Sequence, residues 1–572
     1  MPMRLRFASS LTALALACTG AAGSAQFQDA VGPATPLPAD VIYVHGHIAT
    51  PEGWREAIAV SGATIVATGN EGDLAKHRTA QTRVIDLGGR TVLPGLIDMH
   101  VHAVDAGLRE ASCAFPQGAN LSAVLATIKA CAAKAKPGAW IEGGQWDATS
   151  LGKTPPHRKL LDAVSGTVPV VLHDISLHSV WANSAALKAA GITRDTPNPA
   201  GGGIIEKDRT GEPTGILRET AAIAILNKLP PPSHDERVAA LRTATRMMLA
   251  QGITAYEEAL MATPNARAYA ALADRGELVQ HVRTCMWDND QTLIAQRSLY
   301  ARPGLEISCV KMILDGVPTD AHTAAMLEPY ADANHQGEPA RIKGELMATP
   351  EAIAAKLIRY DAAGLTVKLH VAGDASARAA LDAIGAARKA NGPYGQRHEL
   401  AHANFITPED MARATGLGAT YEFSPYLWFP SPPVRDVIRS VGTKRMERFT
   451  PVRDALAAGT HVVLGSDWPV VPSMSPWVAI ETLVTRQAPG GSTEQLAPGQ
   501  AITVAQAVTL LTANAARQLG IGDRVGTLEP GKQADFIVLD QDIFSVPATA
   551  IHRTRVLRTV VKGKEVYVSP NQ

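Results

Sequence analysis

No charge of one sign prevails in this chain. Lys+Arg and Asp+Glu both number 54, which removes any electrostatic argument for nucleic acid or an anionic membrane as partner. No apolar run approaches the ~20 residues that a bilayer span requires, so no membrane-crossing helix is expected. Cysteine is scarce: the five residues show no CxxC or Cys-His finger spacing, and a structural cysteine–zinc site is not expected. Aromatics make up only 5% of the chain, so a concentration of them beside a reactive motif carries weight. What remains is ordinary globular material, 46% hydrophobic and 19% charged, in a chain of 572 residues that is too long for one small core. A large domain with a satellite or an insertion is expected.

The first residues read as an export signal. Arg4 and Arg6 precede an apolar stretch over 11–18 (LTALALAC), and Gly23-Ser24-Ala25 offers small residues for cleavage before Gln26. Removal of 1–25 takes away two Arg and no acid, leaving 52 basic against 54 acidic residues. Cys18 raises a lipid anchor, but Ala15-Leu16-Ala17 matches a lipobox poorly, so a released periplasmic or secreted protein is expected. In that oxidising setting Cys113 and Cys131 could close a short loop, a pairing that spacing alone leaves open.

Residues 26–40 are rich in Pro and Ala and read as a leader. Alternating segments at 41–48, 56–67 and 82–87, with Gly-containing turns between them, predict strands. The chain closes on a similar pattern at 534–539, 556–561 and 564–568. A small β-sandwich built from both ends, 26–92 with 520–572, is therefore expected. Between them, short apolar strands alternate with Ala-rich helices, which argues for a parallel sheet. Eight strands are predicted, at 96–102, 252–258, 281–287, 308–314, 366–371, 398–403, 418–423 and 461–467. They fit an α/β fold, a (β/α)8 TIM-type barrel over 93–519. The stretch between the first two strands is far longer than an ordinary βα loop, so 104–245 reads as an inserted substrate-side domain with strands at 139–145 and 168–173.

The chemistry gathers at predicted strand ends, where barrels place their reactive groups. His100 and His102 end the first strand; side chains two apart on a strand point the same way, so both imidazoles can meet one divalent metal. A hydrogen-bonded polar pair is the alternative. His370 ends the fifth strand, His402 the sixth and Asp467 the eighth. Asp467 could take a proton from water whose pKa a metal has lowered, or could be a turn residue before Pro469. Lys311, in the fourth strand, faces the interior with Cys309 and Ile313, where an unpaired ammonium is costly. As a neutral amine it could add carbon dioxide and become a metal-bridging carbamate; pairing with Asp315 or reaching substrate are the alternatives.

With these residues in place the chain resembles the metal-dependent amidohydrolases, specifically the family 3 branch that includes N-substituted formamide deformylase-like enzymes. The resemblance rests on 93–102 (LPGLIDMHVH), 142–147 (EGGQWD), 178–187 (HSVWANSAAL), 211–219 (GEPTGILRE), 310–316 (VKMILDG), 329–331 (PYA), 369–374 (LHVAGD), 464–470 (LGSDWPV) and 524–539 (RVGTLEPGKQADFIVL). It implies one or two divalent metal ions, zinc foremost. His100, His102 and Asp467 would hold the more buried ion, His370 and His402 the second, with carbamylated Lys311 joining them. Asp467 would shuttle the proton. The family carries Glu-His where this chain reads Ala401-His402, which puts a supporting contact in doubt and not the ligand.

His178, Trp181 and Asn183 match the stretch that carries polar substrate contacts in the family; His178 could polarise a carbonyl or be a satisfied loop histidine, and Arg218 with Glu219 could orient substrate or form a solvated charged pair at a helix start. Trp146, Trp181, Tyr426, Trp428, Phe429 and Trp468 fall near predicted mouth loops and suggest an apolar or aromatic-bearing small-molecule substrate; packing of the insertion is the alternative. The expected reaction is cleavage of a C–N bond in a small N-acyl or N-formyl amide. Cyclic amide, carbamate or ester hydrolysis, or a secreted binding protein without catalysis, are the alternatives. Homo-oligomerisation is left open.

Overall fold

A computed structural model describes residues 36–570 apart from 117, 147–149, 175–178, 200–202, 219, 320–321, 334–341, 426–428 and 472. The expected signal peptide, residues 1–25, lies outside the described residues. Eight parallel strands form one sheet in chain order: β1 (Leu96–Val101), β2 (Ile253–Met261), β3 (His281–Trp287), β4 (Leu305–Ile313), β5 (Thr366–Val371), β6 (Glu399–His402), β7 (Thr420–Phe423) and β8 (His461–Leu464). Each predicted barrel strand thus has its counterpart, and the TIM-type architecture stands. The ring closes just past β8, where Asp467 donates its backbone N–H to the His100 carbonyl (2.7 Å) and His102 donates to the Trp468 carbonyl (2.8 Å).

Among the strand boundaries that differ from expectation, two shape the site. β8 stops at Leu464, so Asp467 sits three residues beyond the strand in the left-handed region (φ 59°). β1 stops at Val101, and His102 occupies the N-cap position of the helix Ala103–Ala111. In both places the chain stops pairing so that a polar side chain can turn inward. Gly465 makes that turn possible: a Cβ there would lie 2.2 Å from His100 Cβ and 2.7 Å from its backbone nitrogen.

Strands from both chain ends share a six-stranded sheet. Phe536–Leu539 pairs antiparallel with Thr91–Pro94, which in turn pairs with His47–Thr50. Val41–Val44 belongs instead to a four-stranded sheet with Thr64–Gly69, Ala57–Ser61 and Arg83–Asp86. Tyr43, Ile58, Val60 and Ile65 of the second sheet pack in one apolar cluster with Val92, Phe536, Val538 and Val560 of the first. Within the segment 104–245 a further sheet of six strands carries Ile141–Trp146, Val170–Asp174, Ser179–Ala182 and Pro213–Arg218. Its core contains Trp146, Trp181, Leu161, Leu172 and Ile216 beside a Cys113–Cys131 disulfide. A second disulfide, not foreseen, joins Cys285 and Cys309 on neighbouring barrel strands. Among the described residues no helix is long and apolar enough to cross a membrane.

Candidate metal centre

The C-terminal end of the barrel brings together the side chains that the sequence singled out. His102 Nε2 lies 3.3 Å and His100 Nε2 3.5 Å from Asp467 Oδ1, and one ligand atom from each of the three falls within 4.8 Å of the others. Lys311 Nζ is 3.3 Å from His100 Nε2, on the side of the cluster reached from β4. The rings of His402 and His100 lie 4.7 Å apart, centroid to centroid, and those of His370 and His402 4.6 Å apart. The six residues therefore form one contiguous chain of donors. His402 (φ 69°) and Asp467 (φ 59°) both hold left-handed backbone, a conformation non-glycine residues rarely adopt and one that clusters at functional sites.

Electrostatics suits the group to a cation. Burial, then the Lys311 charge, pushes the His100 imidazole well below its ordinary range, and burial with neighbouring His370 does the same to His402. Both therefore offer neutral rings with a free lone pair. Burial would raise the Asp467 carboxyl, but His100 and His102 outweigh it and hold the group low and ionised. Lys311 is 3% exposed; burial first, and the charge of Lys368 second, lower its amine to about 8. Two neutral imidazoles beside a carboxylate in a largely buried cluster make a nitrogen–oxygen donor set that fits a divalent ion.

Sequence reasoning missed Glu422 and Glu258 behind these side chains, and offered Asp315 to Lys311 instead of His370. Glu422 on β7 accepts from His100 Nδ1 at 2.5 Å. Asp315, just past β4, lies 3.2 Å from His370 Nδ1 while accepting from the backbone of Ala325, Ala372 and Gly373. Asp315 thus pairs with a histidine, and Lys311 is free of the pairing with Asp315 that was one alternative for it. Glu258 stands 3.8 Å from His102 Nδ1 and is held by Tyr269. The available signal was an acid at an inward-facing position of a barrel strand. Ala401, where the resemblance had lost an acid, pairs in register with Glu422, so a carboxylate reaches the site from the adjacent strand.

The expected substrate contacts fare differently. Trp146 and Trp181 pack edge-to-face in the core of the inserted sheet, 4% and 0% exposed, which leaves them almost no surface to offer a ligand. Asn183 is wholly buried and caps a helix: its Oδ1 accepts from Val170 and Ala186 backbone N–H, and its amide donates to Ser165 and Val168. These three are packing and capping residues. Trp468 is also buried, and its backbone serves ring closure. Arg218 is half-exposed and pairs with Glu206 (3.3 Å). His178, Glu219, Tyr426 and Trp428 lie outside the described residues.

The sequence pattern that defines the amidohydrolase family runs through residues 83–567 of this chain. The chain belongs to the amidohydrolase family. It is a metal-dependent hydrolase acting on carbon–nitrogen bonds. This amidohydrolase is 29% identical over 548 residues to the N-substituted formamide deformylase of Arthrobacter pascens, spanning 92% of this chain and 97% of that one. It is 28% identical over 556 residues to Protein LONG AFTER FAR-RED 3 of Arabidopsis thaliana, spanning 94% and 93%. A metal-dependent hydrolase from Pyrococcus furiosus shares the fold, with a TM-score of 0.71 at 24% identity over 88% of this chain and 100% of that one.

Proposed function

We propose that this amidohydrolase cleaves the C–N bond of a small N-acyl or N-formyl amide that carries an apolar substituent, with one or two divalent cations, zinc foremost. The observation that carries this reading is the convergence of His100, His102 and Asp467 within 4.8 Å at the barrel mouth. These three would hold the first cation, and His370, His402 and a carbamylated Lys311 would complete the set. When bound, the cation supplies Lewis acidity, lowering the pKa of water toward ~7 and stabilising charge on the amide oxygen. Asp467 Oδ1, between the two imidazoles, receives the proton of the attacking water and returns it to the departing nitrogen. The test is chelation and reconstitution with a substrate panel: activity on N-formyl and N-acyl amides should vanish with chelator and return with zinc. Preferential turnover of cyclic amides, carbamates or esters would contradict the amide assignment.

Lys311 has its own consequence. With its amine lowered to about 8, a useful fraction is uncharged near neutral pH. The nitrogen lone pair can then attack the carbon of carbon dioxide, forming an N–C bond as the nitrogen releases a proton to water. Zinc reconstitution in bicarbonate should therefore give more metal per chain than in carbon-dioxide-free buffer, as read by elemental analysis. Equal metal content would contradict the carbamate. In unmodified apo-protein the sign of the pH effect is fixed as well. The folded amine titrates near 8 and the unfolded one near 10.5, so the cost of burying the charge is full below 8 and relieved between the two values.

The apolar part of the substrate is assigned to Trp287 and Ile313. Cys285 and Trp287 on β3 alternate onto one face, as Cys309, Lys311 and Ile313 do on β4, and the Cys285–Cys309 bond and the register put both faces on the same side of the sheet. Trp287 pairs in register with Lys311 and Ile313 with His370, yet the two apolar residues are 39% and 41% exposed. Large apolar groups left open beside reactive ones are best explained by a ligand that covers them. Trp287→Ala should raise KM for an N-benzyl formamide by about tenfold and leave that for formamide itself unchanged. An equal change for both would remove this role. Export completes the proposal: two disulfides fit an oxidising compartment.

A further inference from the structure

We infer that Glu422 is a positioning residue that sets the tautomers of two histidines at once, aiming both toward the cation. This rests on the proposed metal set. Glu422 is wholly buried on β7, and its two carboxylate oxygens face different partners. Oε2 is 2.5 Å from His100 Nδ1 and 3.2 Å from Lys368 Nζ. Oε1 accepts from the Ser424 hydroxyl (3.3 Å), and that hydroxyl oxygen lies 3.2 Å from His402 Nδ1.

Donor bookkeeping fixes the protons. A serine hydroxyl has a single hydrogen. A carboxylate only accepts, so Ser424 spends that hydrogen on Glu422. Its oxygen is then left to accept, and His402 must present N–H from Nδ1. His100 Nδ1, facing Oε2 directly, carries its hydrogen for the same reason. Both rings therefore hold their lone pairs on Nε2. The contact from Lys311 Nζ to His100 Nε2 (3.3 Å) agrees, since an amine hydrogen can be accepted there. His370 and His102 have separate acids, Asp315 and Glu258, so one carboxylate per ring serves two imidazoles while Glu422 alone serves the other two. Lys368 prevents Glu422 from turning away: its ammonium also reaches Glu257 (2.9 Å), Glu399 (2.8 Å) and the Met99 carbonyl (2.6 Å). An outer carboxylate of this kind orients the ring and raises its basicity as a ligand.

Glu422 and the two histidines also lie close enough for the acid to be a ligand itself, and the experiment separates the roles. Zinc affinity is measured by competition with a chelator for the wild type, E422Q and S424A, and the visible spectrum is recorded with cobalt in place of zinc. E422Q should bind zinc about 10–100-fold more weakly with an unchanged cobalt coordination band. S424A should weaken binding by a smaller factor, since of the two rings Ser424 reaches only His402. Unchanged zinc affinity in E422Q, or a cobalt band showing a lost ligand, overturns the positioning role. If E422Q does not fold, nitrogen-15 spectra of the metal-free wild type decide. Hydrogen on Nδ1 of both His100 and His402 is expected, and hydrogen on Nε2 of either contradicts the inference. A wild type that binds no divalent cation would sink the metal reading instead, and the tautomer measurement would stand apart from it.

Discussion

Asp467→Asn keeps its cation and loses about 10²–10⁴-fold in kcat, the usual worth of a positioned proton acceptor and donor. The asparagine oxygen can still occupy the place of Oδ1 between His102 and His100, but a carboxamide takes no proton from water and has none to return to the leaving nitrogen. Metal content and kcat measured on the same sample separate the two effects. Full activity would remove Asp467 from the reaction, and loss of the metal would make its role that of a ligand only. The backbone argues against gross disruption: Asp467 is held by the His100 carbonyl through its own N–H, a bond that the substitution leaves intact.

Lys368→Met should be the most damaging change to stability, about 3–5 kcal/mol, although Lys368 offers no ligand atom to the cation. The side chain is fully buried and its ammonium meets Glu257, Glu399 and Glu422 within 3.2 Å. Burial works against the charge, but the three acids outweigh it and hold the group well above the ordinary lysine range. Arg283 is the other cation of the cluster, paired with Glu257 and Glu399. Methionine would fill the space yet leave Glu422 with no cationic partner and Glu257 and Glu399 with Arg283 alone. Urea denaturation reads the loss; a change under 1 kcal/mol would mean that the acids are not charged together in the folded state.

The barrel was legible because its strands bury both faces and end in chemically unusual residues. Predicted 366–371 and observed Thr366–Val371 coincide. The convergence of the site's side chains was legible for the same reason: residues at inward-facing ends of neighbouring barrel strands meet at one mouth. What supports them was not. Glu422 and His100 are 322 positions apart, and only closure of the ring brings them together. The aromatic expectation misread proximity in sequence as proximity to the mouth. Trp146 and Trp181 have the right chemistry for a substrate wall, but alternation on the inserted sheet turns them into its own core, while Trp287 at the end of β3 carried no motif to mark it. Asn183 follows the same logic, since asparagine before a helix caps more readily than it binds.

Anomalous diffraction from zinc-loaded crystals tests the central claim most directly. A peak within bonding distance, about 2.0–2.2 Å, of His100, His102 and Asp467 is the predicted result, with further density running from Lys311 Nζ toward His370 and His402. Zinc bound elsewhere, with those three side chains left as a hydrogen-bonded group, would contradict it.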